Sequence, residues 1–344
     1  MTASPAAAEH RRAPRDAGGP VGLAADNASK VGDRLFLGLS TAASWLILVI
    51  LAGVAIFLVI KAAPAIAANW ATNDALNQTV ANTPGHANFW EYVGPLLFGT
   101  VWASFLALLM GAPVAVGIAL FISHYAPRRI AAALGYLVDL LAAVPSVVFG
   151  LWGLSVVTGF LGPLNRFLNE YLGWIPLFGG QVSAGGGTIL AGAVVLAVMI
   201  LPIITSISRE IFLQTPSLHE EAALALGATR WEMIRLAVLP YARSGVISGI
   251  LLGLGRALGE TMAIAMIVSP KLIVSFQLLT NDNPATIASN IANQFGGAND
   301  MQRDALIATG LMLFVVSFAV NFIARWIVGR ATSPRRVRKA RPAR

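Results

Sequence analysis

The sequence contains no cysteine, which excludes disulfides, zinc–thiolate sites, iron–sulfur clusters and thiol nucleophiles. Charge is scarce as well. Asp, Glu, Lys and Arg make up 12% of the 344 residues against 56% hydrophobic residues, a balance too apolar for a soluble globular domain. None of the four lysines, Lys30, Lys61, Lys271 and Lys339, is followed by Ser or Thr, so there is no Walker A phosphate loop. There is no HExxH motif, and His10, His86, His124 and His219 are scattered. The chain is expected to hold no metal or cofactor and to have no catalytic centre of its own.

What is present is a series of long apolar runs. Six of them, residues 35–60, 95–122, 130–160, 188–207, 244–269 and 305–327, are long enough for a helix to cross a hydrocarbon core, which takes roughly 20 residues. An all-α membrane protein with about six transmembrane helices is expected. The third run is overlong and contains Pro145, Gly150, Gly153 and Gly159, so a break or re-entrant turn is expected there. The first run has no small-residue cleavage site just after it and reads as an uncleaved anchor.

The net charge of +8 belongs to the ends of these runs. With both termini in the cytoplasm, 19 of the 24 Lys and Arg residues fall on that side and four, Lys61, Arg166, Lys271 and Arg303, fall outside, as the positive-inside rule requires. Residues 1–34 read as a disordered cytoplasmic tail, 35–329 as the transmembrane domain and 330–344 as a basic tail attracted to anionic headgroups. Trp70, Trp90 and Tyr92, in the first external loop, are expected in an interfacial aromatic belt.

Three ionisable residues lie well inside the runs: Asp139, Arg256 and Glu260. Charges at that depth cost several kcal/mol and belong in a bundle interior or a water-filled path. Arg256 lies about 18 Å of helix from Ser244 and Asp139 about 14 Å into its run, so a common depth is expected. Arg256 and Glu260 are four apart, which on a continuous helix is one face. Two readings are open. One is a self-neutralising network that holds helices in register. The other is an anion station, in which Arg256 supplies a permanent planar charge and Glu260 accepts a proton-bearing oxygen, favouring protonated phosphate over sulfate. Asp139 and Glu260 would alternatively serve an ion-driven transporter as proton relays. On the same run Gly245, Gly249 and Gly253 recur every four residues, a spacing for close helix packing in lipid.

Between the fourth and fifth runs lies a polar segment that reads as two short helices. Ser217 with Glu220 and Thr229 with Glu232 each match a capping box, and Gly227 falls between them where a left-handed cap suits glycine. Helices this short need a partner surface to hold them, so the segment, Glu220, Glu221, Ala222, Ala223 and Gly227 included, reads as a cytoplasmic interface. A DNA-reading helix-turn-helix has the same outline, but its second helix offers only Arg230 and Arg235 to a duplex, and nucleic acid is not expected.

Glu221-Ala222-Ala223, Gly227, and Leu239-Pro240 resemble the EAA loop of ABC importer permeases, with Ala237 where that pattern usually has isoleucine. Gly253-Leu254-Gly255-Arg256-Ala257-Leu258-Gly259-Glu260-Thr261-Met262-Ala263, with Leu141 to Gly153, resembles the PstC-type channel subunits of bacterial phosphate-specific importers. The resemblance implies a type I ABC importer permease fold in the bacterial cytoplasmic membrane. It further implies a PstA-like permease partner, two PstB-like ATPase subunits that use ATP and Mg, and a PstS-like phosphate-binding protein. It also implies that Arg256 and Glu260 serve phosphate passage and that the Glu221 to Gly227 loop docks the ATPase.

Overall fold

A computed structural model describes residues 22–70, 73, 76 and 88–332. The chain divides into two units, residues 1–56 and 57–344. The first is built on the long helix α1 (Gly22–Ala67). Residues 22–34, expected to be structureless, are already helical there, and the remainder of that expected tail, 1–21, lies outside the described residues. Leu35, Phe36, Trp45 and Leu46 are exposed, as suits a helix that is apolar all round and meets lipid.

The second unit starts with the end of α1 and continues with α2 (Phe89–Leu120), α3 (Arg128–Ala142), α4 (Ser146–Trp152), α5 (Thr158–Leu172), α6 (Ile189–Leu213), α7 (Ser217–Ala225), α8 (Arg230–Met233), α9 (Leu239–Leu258), α10 (Met262–Ile267), α11 (Ile287–Gln294) and α12 (Asp300–Thr332). Wider π turns close α2 at Phe121–Tyr125, join α4 to α5 at Gly153–Val157 and join α8 to α9 at Ile234–Val238. The strands β1 (Pro270–Lys271) and β2 (Asn283–Pro284) pair in parallel. Residues 333–344, most of the expected basic tail, lie outside the described residues.

Among the described residues, six helical stretches are long and apolar enough to cross a bilayer: Gly32–Ala67, Phe89–Tyr125, Ser146–Leu172, Ile189–Leu213, Arg230–Leu258 and Asp300–Trp326. The chain is a multi-pass membrane protein. The count matches the sequence reading, but the third span is displaced along the chain. Pro145 has no N–H to donate and disfavours helical geometry in the residue before it. The run of residues 130–160 therefore breaks there. Residues 128–142 form the separate α3, and the span restarts at Ser146.

Helix α6 is the axis of the packing. Its Val195, Leu196, Ile200 and Ile204 are fully buried. Helix α2 runs parallel to it, with the Thr205 hydroxyl donating to the Ala115 carbonyl at 3.2 Å. Helix α9 runs antiparallel: Gly245, Gly249 and Gly253 face Ile211, Ile207 and Ile204, and a Cβ on any of the three would come within 3.0 Å of the facing isoleucine. The four-residue glycine repeat thus does what its spacing predicts, letting two helices approach where lipid supplies no hydrophobic drive.

At the end of the bundle where α2 and α6 begin, a polar segment folds inward. The Asn283 carboxamide accepts from Ile189 N at 2.8 Å and donates to the Gly187 carbonyl at 2.9 Å. Thr100 accepts from Ile287 N at 3.0 Å, and Asn290 donates to the Tyr92 hydroxyl at 2.6 Å. Trp70 and Tyr92 are fully buried here with ring centroids 5.3 Å apart, whereas Trp90 is exposed. The expected aromatic belt is, at two of its three positions, a small core.

Candidate functional site

Helix α9 does not continue to Glu260. It ends at Leu258, with Gly259 as its cap. Two local bonds fix the break: the Glu260 carboxylate accepts from Ala263 N at 3.2 Å, and the Thr261 hydroxyl donates to the Gly259 carbonyl at 3.2 Å. Glu260 thus satisfies one of the free amides at the start of α10 and is buried. The expectation that Arg256 and Glu260 share one helix face is corrected accordingly: the four-residue spacing spans an interruption. Breaks of this kind at membrane depth are tolerated where the freed backbone is buried in protein or lines a cavity. Here α10 packs on α4, with Gly150 and Gly153 giving it room: a Cβ on Gly150 would reach 3.0 Å from Met266 and one on Gly153 2.4 Å from Ile267.

Arg256 lies one turn before the break. It lines an open groove of about 940 Å³ between α9 and α12, together with Ser248, Gly255, Phe318, Asn321 and Arg325. Its Nε is buried and has no hydrogen-bond partner among the described residues. A guanidinium with one N–H buried and unsatisfied, beside an open groove, is an attractor for an anion that can complete its hydrogen bonding.

Asp139 is elsewhere. On the exposed side of α3, it accepts from the Ser206 hydroxyl at 2.5 Å and lies 3.8 Å from the Arg209 guanidinium. Ser206 and Arg209 flank Ile207 and Ser208, which face Gly249. Asp139 is therefore about 10 Å along the bundle from Arg256, not level with it. The common depth failed because α3 is not part of the third span. Among the described residues Arg209 has a carboxylate beside it, and Arg256 has none.

The α7–α8 loop stands at the end of the bundle where α6 finishes and α9 begins. Gly227 has φ +86°, the left-handed cap expected of it. Thr229 and Glu232 form the complete capping box. The first expected box does not form, because Pro216 occupies the N-cap and shifts Ser217 into the helix. No residue of α7 is buried. Leu218, Leu226 and Leu236 are exposed, Leu226 at 90%, and His219, Ala222, Gly227 and Tyr241 help line a cleft of about 700 Å³. Ala223 packs inward on the cluster of Phe212, Ile234 and Val238, so its small side chain seats the helix, while Glu221 and Ala222 face outward. Glu220 turns back to the bundle, its carboxylate 3.5 Å from His124 on the π turn after α2. Sequence reading passed over His124 as isolated; a neighbour nearly a hundred positions away in the chain leaves no local pattern. Among the described residues no group of acidic and histidine side chains is arranged to hold a metal.

A multi-helix membrane core carries an exposed, apolar two-helix loop at one end. Residues 111–333 match the family described as binding-protein-dependent transport system inner membrane component, and the chain belongs to that family. Its curated relatives are more particular. It is 49% identical over 302 residues to the phosphate transport system permease protein PstC 2 of Mycobacterium tuberculosis and that of Mycobacterium bovis, covering 87% of this chain and 92% of each relative. It is 46% identical to the PstC of Mycobacterium leprae over 80% of this chain and 86% of that one. Within the family the chain groups with these PstC-type permeases.

Proposed function

We propose that the chain is the channel subunit of an ATP-driven phosphate importer, and that Arg256 is the charge that the passing anion meets. The observation that carries the reading is the buried, unpartnered Nε of Arg256 in an open groove, in a chain whose relatives are phosphate transport permeases. A guanidinium keeps its charge at any physiological pH and matches oxyanions with parallel donors. Glu260, held at the start of α10, restricts the path beyond it and favours an oxyanion that carries a proton. Asp139, by neutralising Arg209, keeps a competing cation out of the path.

In this reading the chain pairs with a PstA-like permease, and a PstS-like protein delivers phosphate at the Asn283 end. Two PstB-like ATPases hydrolyse MgATP at the other end, which is cytoplasmic, as are both termini. The chain itself binds no nucleotide, hydrolyses nothing and contacts no nucleic acid. The exposed leucines of the α7–α8 loop enter a groove of the ATPase, and closure of the ATPase pair moves α7 and with it α9.

The test is uptake of radiolabelled phosphate by the four-component complex carrying Arg256→Gln. Assembly with loss of uptake supports the reading; unchanged uptake in an assembled complex refutes it. A crosslinker placed at Leu226 should capture the ATPase, and capture of DNA instead would refute the docking claim.

A further inference from the structure

We infer that Arg325, with Asn321 and Ser248, forms a second oxyanion station on the exit side of Arg256, resting on the reading of Arg256 given above. Arg325 lines the same groove from α12, as Ser248 does from α9. From Ser248 to Arg256 is eight residues of α9, about 12 Å, so the groove carries a guanidinium near each end. Among the described residues neither enters a salt bridge. Arg209, by contrast, has the Asp139 carboxylate 3.8 Å away. Two cations with no carboxylate partner among the described residues, lining one groove, repel each other, an arrangement that favours a mobile anion between them.

The other polar groups fit a particular oxyanion. The Ser248 hydroxyl donates to the Ser244 carbonyl at 2.9 Å, so its lone pairs, not its proton, face the groove. The Asn321 amide donates to the Ser317 carbonyl at 2.9 Å, which holds the carboxamide in place and leaves its second N–H and its oxygen. The groove thus offers guanidinium and amide donors beside hydroxyl and carboxamide acceptors. A tetrahedral oxyanion that keeps a proton, such as hydrogen phosphate, satisfies both kinds. Sulfate leaves the acceptors unmatched. Phe318 and Phe322, stacked at 6.4 Å on the same wall of the groove, keep that wall apolar and the field in the groove strong. The ligand chemistry is a phosphate group, and two sources share it: free phosphate in transit and the headgroup of an anionic lipid resting in a lateral groove.

This chain has no cysteine of its own, so with cysteine-free variants of the other subunits Arg325→Cys supplies the sole thiol. The complete transporter carrying Arg325→Cys is reconstituted in vesicles of neutral lipid and of mixed neutral and anionic lipid, and phosphate uptake is measured before and after thiol modification. Loss of one unit charge about 12 Å from the anion's previous site, at an effective permittivity of about 20, lowers uptake roughly tenfold. Modification with the cationic 2-aminoethyl methanethiosulfonate should restore most of it, and the anionic sulfonatoethyl reagent should not. Inorganic phosphate should slow the modification in both lipid mixtures.

Uptake unaffected by Arg325→Cys overturns the station. So does equal response to both reagents, and so does a defect confined to anionic vesicles without protection by phosphate, which would make the groove a lipid site. Should the cysteine variant fail to assemble, Arg325→Lys and Arg325→Gln take its place, the first expected to lose less than threefold and the second roughly tenfold; similar values for the two overturn the station. Arg256→Gln, run alongside, separates the levels: if it abolishes uptake while Arg325 variants do not alter it, only the second station is lost, and if it too transports normally the underlying reading falls.

Discussion

His124 and Glu220 face each other across 3.5 Å, joining the π turn after α2 to α7, the first helix of the exposed loop. The imidazole is nearly buried, its Nδ1 lies 2.7 Å from the Ser123 hydroxyl, and its ring meets Phe212 edge-on at 6.3 Å. One side chain thus touches α2, α6 and α7, and a displacement of α7 reaches the bundle through it. His124→Ala should lower phosphate transported per ATP hydrolysed about fivefold, the equivalent of about 1 kcal/mol for a partly buried polar contact, with assembly intact. Transport and ATPase rates measured together in vesicles check this, and an unchanged ratio removes the link.

At Gly227 the backbone conformation alone is at issue. A Cβ there meets nothing within 4 Å, but φ is +86°, which costs an ordinary L-residue about 1–2 kcal/mol. Gly227→Val should shift the loop and reduce transport-coupled ATPase activity, while Gly227→Asn, which visits this region more readily, should lose less. Equal behaviour of the two variants would mean that the turn does not set the docking geometry.

Glu260 has two separable tasks. As a cap it accepts from Ala263 N, and glutamine keeps an oxygen for that bond while alanine does not. Thermal unfolding should therefore find Glu260→Gln close to wild type and Glu260→Ala about 1 kcal/mol less stable. Phosphate uptake should fall in both, because the charge is gone in both. Normal uptake in the glutamine variant would reduce Glu260 to a structural cap.

Gly99 has no freedom at all. A Cβ there would lie 2.2 Å from the backbone oxygen of Ala285, which no rotamer change relieves. Gly99→Ala should destabilise the purified complex by about 2–3 kcal/mol, read as a lowered unfolding midpoint. Gly117→Ala, in the same helix with nothing within 4 Å, should be neutral or gain up to about 1 kcal/mol.

The spans were legible because an apolar run longer than a bilayer is a physical requirement, not a preference. Gly227 and the Thr229–Glu232 box were legible because both bonds are local. Arg256 stood out as a lone intramembrane cation. The break after Leu258 was hidden, since Gly259 and Thr261 sit inside an apolar run whose composition suits a continuous helix. The inward fold of residues 283–290 was hidden for another reason. Asn283, Thr286 and Asn290 look like loop residues by type, and their partners Ile189, Thr100 and Tyr92 come from distant helices. Arg325 was legible only as one of many basic residues at a helix end; its place in the groove needed α12 set against α9.

The π turn at Ile234–Val238 bears on how this chain tolerates changes in length. Such a turn absorbs one residue beyond α-helical winding without altering the phase of the helix beyond it. Removal of a single residue there lets the backbone tighten and leaves α9 aimed as before. The same deletion between Ser244 and Gly255 turns the rest of the helix by about 100°, carrying the Arg256 guanidinium out of its groove. Indel tolerance along this span is therefore confined to its first two turns, beside the loop and far from the cation.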